Sequence, residues 1–374
     1  MFISEVQKWT FEIIFNRMWK VDFQSRKHSA PINQIDVSLD MNYVASASND
    51  RMVGLTNLIS RQTQMLAGHN NSVNCVSFSP LSNRVITGAH DGQMILWDVQ
   101  NAEKLHELQA HQLTIRSVCW SPDGRFLCTG SNDSTVGVWS LNHFTKRATL
   151  TGLKGWVRDV KWSGNMIIVA GNDSKILLFD DRTNKPFQTI NTGTTSDVNS
   201  ISIHRNQQCI AAGLTDQIIR VWDIRTSSLL QKHSAHGGPI SQVAFNPSND
   251  ELLSCSRDGL TKLWDFQTSK VLATFDKHKG AVLGCCWIPT CRGFMTCGED
   301  RKVISYKFEP KPIDPTTLEY DGGDFIEALE KMQSQINSLA TTMKSLDKRL
   351  LIQEEKLQWL ADIDEPISNA ASSN

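Results

Sequence analysis

Apolar positions along most of this chain fall in short runs rich in β-branched and aromatic residues, each cut by turn formers. Residues 73–79, 84–88 and 93–97 are one such set. Runs of this length, bounded by Gly, Asn, Asp and Ser, predict strands and not helices. The set recurs. An aspartate marks each copy at Asp50, Asp91, Asp133, Asp173, Asp216, Asp258 and Asp300, in steps of 41, 42, 40, 43, 42 and 42 residues. A period near forty with three or four strands per unit predicts a closed array of small antiparallel sheets.

Other residues keep step with the aspartates. A histidine stands 22 residues before five of them (His28, His69, His111, His236, His278), and a hydroxyl four before five (Ser46, Thr87, Thr129, Ser254, Thr296). Six residues after come Trp97, Trp139, Phe179, Trp222, Trp264 and Tyr306, with Thr56 as the exception. A turn Asp can accept from the His ring, whose other nitrogen pairs with the hydroxyl, which accepts from the Trp indole. Each link satisfies a polar group whose unpaired burial would cost about 1–3 kcal/mol. All four members are present in unit two (His69, Thr87, Asp91, Trp97), unit three (His111, Thr129, Asp133, Trp139) and unit six (His236, Ser254, Asp258, Trp264). A hydrolase needs one Asp-His-Ser set, not several buried copies. These tetrads are therefore scaffold.

The spacing resembles the WD-repeat family, whose units carry a Gly-His pair, an Asp and a Trp-Asp. Seven units imply an all-β, seven-bladed β-propeller. The seventh lacks an outer strand after residues 303–308, so the stretch from Trp19 to Gln24 is expected to supply it and close the ring. The expected organisation is an N-terminal extension (1–18), a propeller (19–309), a Pro/Gly linker (310–323), a coiled coil (324–361) and a disordered tail (362–374). Units four and five are degenerate: Leu153 and Val169 replace the His and hydroxyl in one, Thr194 and Ala212 in the other.

Net charge is −1, with charged residues at 21 %, which gives no global field to attract nucleic acid or an anionic membrane. No apolar stretch approaches the length of a membrane span. The first fifteen residues are broken by Glu5, Lys8 and Glu12 and lack a cleavage site, so no signal peptide is expected. Nine cysteines lack metal-ligand spacing and read as reduced and mostly buried. Neither a cofactor, a metal nor an enzymatic activity is expected: no phosphate-binding Gly loop and no activated nucleophile stand out.

After Pro310, Pro312 and Pro315 the pattern changes. Leu329, Met332, Ile336, Leu339, Met343, Leu346, Leu350, Leu357 and Leu360 fall alternately three and four apart, with Gln353 interrupting. That heptad stripe predicts a parallel coiled coil and self-association, as a dimer. The runs 329–332, 345–350 and 354–357 resemble the C-terminal helix of the proteome-of-centriole WD-repeat family, and Trp156-Val157-Arg158 and 221–226 resemble its propeller motifs. The linker is shorter than that family's.

The resemblance implies a structural component of centrioles and basal bodies in the cytoskeleton, bound to tubulin in the microtubule triplet wall and to other centriolar proteins, supporting cilium formation. In the WD geometry, residues three and five after the histidine and the residue before each Asp face one rim of the central channel. These include His90, Arg116, Trp156 and Arg158, then Asp197, Asn199, Pro239, Arg257, Ala281 and Glu299. Exposed Trp and Arg are the types that most often carry binding energy. Trp156 either does so or fills the space of the absent unit-four histidine. Two other functions fit: a substrate receptor of a cullin-type ubiquitin ligase, on the Trp222-Asp223-Ile224-Arg225 tetrapeptide, or a generic cytosolic or RNA-processing WD scaffold.

Overall fold

The computed structural model describes residues 17–310 apart from residue 291. Its 28 strands form seven four-stranded antiparallel sheets, the blades of a propeller. Blade one, for example, runs Ile32–Val37, Tyr43–Ser48, Met52–Asn57 and Thr63–Ala67 from channel to rim. The predicted seven-bladed all-β ring is borne out. The extension, linker, heptad stripe and tail lie outside the described residues, except that the first strand reaches back to Arg17.

The closure follows the sequence. Strand Arg17–Ser25 pairs antiparallel with Val303–Pro310, with Trp19 opposite Phe308 and Gln24 opposite Ile304, and completes blade seven as its outer strand. Trp19 packs its ring 5.1 to 5.9 Å from Phe294, Phe308 and Phe275. Asp22, where the register slips, pairs with Arg61 of blade one at 3.0 Å, so the same strand also reaches the next blade. Within each blade the two middle strands are mostly buried, and apolar clusters fill the space between neighbouring blades. This is the burial that short strands require, since no single sheet could hide both faces alone.

The recurring Asp has a local reason. In every blade the residue after it takes a positive φ: Arg51, Gly92, Ser134, Ser174, Gln217, Gly259 and Arg301. The carboxylate accepts the amide of the residue two ahead in blades one, two, three, five, six and seven, at 2.9 to 3.2 Å. An Asp side chain bonding its own backbone two residues on stabilises such a tight turn.

Candidate functional site: the arginine-lined mouth of the channel

The tetrads hold much of the buried polar chemistry. In blade three, His111 Nδ1 lies 2.8 Å from Asp133 and Nε2 2.7 Å from Thr129, whose hydroxyl accepts Trp139 Nε1–H at 2.8 Å. Blade six repeats this with His236, Asp258, Ser254 and Trp264 at 2.8 to 3.0 Å. Blades one and seven also form the Asp-His-hydroxyl part, through His28 and His278.

Blade two departs from the expectation. His69 meets Thr87 at 2.7 Å and Trp97 donates to Thr87 at 2.9 Å, but His69 Nδ1 has no hydrogen-bond partner and Asp91 does not close the chain. Gln93 lies beside the ring, and its amide donates to Glu107.

Blade five hides a substitute that the spacing did not reveal. With Thr194 and Ala212 in place of His and hydroxyl, Arg220 turns inward opposite Ala212 and meets Asp216 at 2.7 Å, 4 % exposed. Blade four is apolar instead. Leu153 and Val169 are buried with Phe179, and among the described residues the Asp173 carboxylate accepts the Lys154 amide at 3.2 Å while its Oδ1 is left without a partner. Asp133→Ala should therefore destabilise the ring by about 2–4 kcal/mol, and Asp173→Ala by about 1 kcal/mol or less, in denaturant melts.

Burial pushes the pKa of His111, His236 and His278 down despite the neighbouring carboxylates, and that of His69 down to about 4. The unfolded chain takes up these protons near pH 6.5 while the folded one resists them. The sign is then fixed: stability is full above about pH 6.5 and is lost as pH falls toward 4. His69 alone should account for about 3 kcal/mol over that window. Urea midpoints from pH 7.5 to 4.5 check this, and His69→Leu with Thr87→Val, which copies blade four, should flatten the slope.

A second set of residues faces the channel. In all seven innermost strands the ladder skips one residue: Asn33, Asn74, Arg116, Arg158, Asn199, Ser241 and Leu283. A bulge re-aims the side chain that it bypasses, and these seven converge on one mouth of the channel. With Thr215, Pro239 and Arg257 they line a cavity of about 330 Å³. Counting five from the His position points to Arg116, Arg158 and Asn199, but Asn33, Asn74, Ser241 and Leu283 are not singled out, because the seven positions share no side-chain chemistry.

Three of the seven are asparagines with a structural task. Asn33 donates to the Val73 carbonyl at 2.8 Å, Asn74 to Ile115 at 3.2 Å and Asn199 to Ile240 at 2.7 Å, each stitching one blade to the next. The arginines do something else. Arg116 Nε donates to Asn132 at 3.2 Å and Arg158 Nε to Asn172 at 2.6 Å, within their own blades. Arg158 has a carboxylate, Asp197, at 3.6 Å. Among the described residues, Arg116 and Arg257 have none within ion-pair distance. Burial and the nearby Arg158 and Arg257 push the Arg116 pKa down.

Trp156 is 44 % exposed with Arg158 stacked 5.2 Å from its ring, and Leu153 occupies the vacated histidine space. Leu113 is exposed on the corresponding connection of blade three. His90 is exposed but is not part of this lining. Among the described residues, no three His, Cys, Asp or Glu come together to hold a metal.

This geometry defines a seven-bladed WD-repeat β-propeller with a basic, partly aromatic mouth. The model described as "WD domain, G-beta repeat" matches residues 21–56, 60–98 and 102–140, and the one described as "Nucleolar protein 10-like, N-terminal domain" matches 144–311. Similar curated proteins include mouse "Pre-mRNA-processing factor 19" (30 % identical over 94 residues, 25 % of this chain and 18 % of that protein). Fission yeast "Target of rapamycin complex subunit wat1" is 30 % identical over 25 % of this chain and 29 % of its own. The Dictyostelium discoideum "Periodic tryptophan protein 2 homolog" is 33 % identical over 26 % and 10 %. The chain thus spans less than a third of the length of these relatives.

Proposed function

We propose that this chain is a non-enzymatic scaffold that docks a protein partner on the arginine-lined mouth and serves a larger assembly. The observation that carries the reading is Arg116 and Arg158, at positions where other blades place asparagine, serine or leucine, sharing one cavity with Arg257, with an exposed tryptophan stacked on Arg158 and, among the described residues, a carboxylate within ion-pair distance of Arg158 alone. The ring does not need arginine there.

The comparisons favour an RNA-processing assembly over the other settings. The relatives' names include a pre-mRNA-processing factor, and the matched model for blades four to seven is nucleolar-like. With a net charge of −1 and three arginines gathered in one cavity, the contact is with protein in that assembly.

A second reading rests on a separate observation, the heptad stripe from Leu329 to Leu360. It supports self-association as a dimer and, by its resemblance to the centriolar family, attachment to the acidic surface of tubulin in the cytoskeleton. Linking two propellers would raise the avidity of weak rim contacts by as much as about 10²–10⁴. Imaging the tagged full chain beside nucleolar and centriolar markers separates the two. Nuclear or nucleolar signal supports the first; basal-body signal overturns it in favour of the second. Diffuse signal without a captured partner contradicts both.

A further inference from the structure

Resting on the reading that the mouth is the docking face, we infer that it is built to receive a phosphorylated serine or threonine side chain of a protein partner. Arg116 and Arg158 are each held at Nε by an asparagine of their own blade, Asn132 and Asn172. That grip fixes the plane of each guanidinium and leaves the terminal nitrogens to serve the cavity. An asparagine partner adds no negative charge, so the positive charge stays available. Arg257 enters the same lining from blade six, from the position before its repeat aspartate.

Three guanidiniums from three blades thus share one concavity of about 330 Å³, and within it the Ser241 hydroxyl has no hydrogen-bond partner. Asp197 stands 3.6 Å from Arg158, and among the described residues no carboxylate lies within ion-pair distance of the other two. Glu299 occupies the pre-aspartate position of blade seven and pairs with none of the three.

Like charges held together without carboxylates cost stability, and a dianion in their midst relieves that cost. A phosphate monoester carries about −1.5 to −2 charges at neutral pH and offers three acceptor oxygens, which suits several forked donors better than a single carboxylate does. The surroundings select a peptide as its carrier. Trp156, exposed on the connection that leads into the innermost strand of blade four, stacks on Arg158 and offers apolar contact to residues flanking the phosphate. A nucleic-acid strand would instead need charge tracked along a groove with repeated stacking faces, whereas here the cations meet at one point.

The test uses the full-length chain against a degenerate peptide library with a fixed central phosphoserine or phosphothreonine, and the same library without phosphate. The expected result is retention of the phosphorylated library only, displaced by inorganic phosphate at high concentration. Arg116→Gln and Arg257→Gln should each weaken binding by about ten- to a hundredfold, with melting temperatures unchanged or raised. Equal retention of the unphosphorylated library, lost in the Gln variants, overturns the phosphate claim and leaves the docking face standing. Retention that folded Gln variants do not alter overturns both. Arginine-dependent binding of single-stranded RNA or myo-inositol hexakisphosphate, with no retention of the phosphopeptides, replaces the peptide carrier and contradicts the inference.

Discussion

Removing residues 1–25 should open the ring and cost of order 5–10 kcal/mol, enough to lose a single cooperative melt. The strand Arg17–Ser25 supplies the outer edge of blade seven, and without it the Val303–Pro310 strand becomes an unpaired sheet edge. Phe275, Phe294 and Phe308 lose the Trp19 ring that packs on them. The Arg61–Asp22 pair and the contact of Arg61 with Phe23 also go, and with them the bond between the closing strand and blade one. A milder form of the experiment is Trp19→Ala, which should cost about 3 kcal/mol, or roughly 5–10 °C in Tm. A truncated chain that melts in one transition near the wild-type temperature would show that closure at blade seven does not hold the ring together.

Asp216→Ala should be the most damaging of the repeat-aspartate changes, at about 3–5 kcal/mol. In blades three, six and seven the carboxylate faces a histidine whose pKa burial pushes down. In blade five it faces Arg220, whose guanidinium is buried and cannot shed its proton. Removing the partner leaves a full charge inside the ring. Replacing both residues, as Asp216→Ala with Arg220→Met, should recover most of the loss, because a well-packed apolar pair often matches or exceeds a buried ion pair. Urea denaturation of the three proteins decides it. A double variant no more stable than Asp216→Ala would mean that Arg220 packs for reasons other than its charge.

The sequence made the ring legible through its polar residues more than its apolar ones. The aspartates at steps near 42 counted the blades, and the missing outer strand after residue 308 pointed back to Trp19. The tetrads of blades three and six were readable because four residue types recur at fixed spacing. Blade two shows the limit of that reading. All four types are present, yet His69 meets Thr87 without Asp91 closing the chain, and only packing reveals it.

Arg220 escaped notice for a related reason. It sits outside the signature positions, in mid-strand, where blades one and three have Gly54 and Gly137 facing their hydroxyls. The available signal was a basic residue in the interior pattern of a blade that had lost both His and hydroxyl. At the mouth, spacing located Arg116 and Arg158, but the side-chain roles were not in the sequence. That the asparagines stitch blades while the arginines are held away from such stitches depends on bulge geometry. His90 kept the family spacing and still fell outside the cavity.

The central claim is that the molecule works through this mouth, and one measurement tests it most directly. The full chain carrying Arg116→Glu and Arg158→Glu is compared with wild type by affinity capture from cells. Melting curves of both proteins are recorded alongside, and stabilised microtubules are included as one purified candidate ligand. Reversing two charges on a cavity that holds three arginines should abolish capture of the partner while the melt stays within about 2 °C, since neither residue is part of a tetrad. Undiminished capture by the folded double variant would place the interface on another face of the ring and contradict the account.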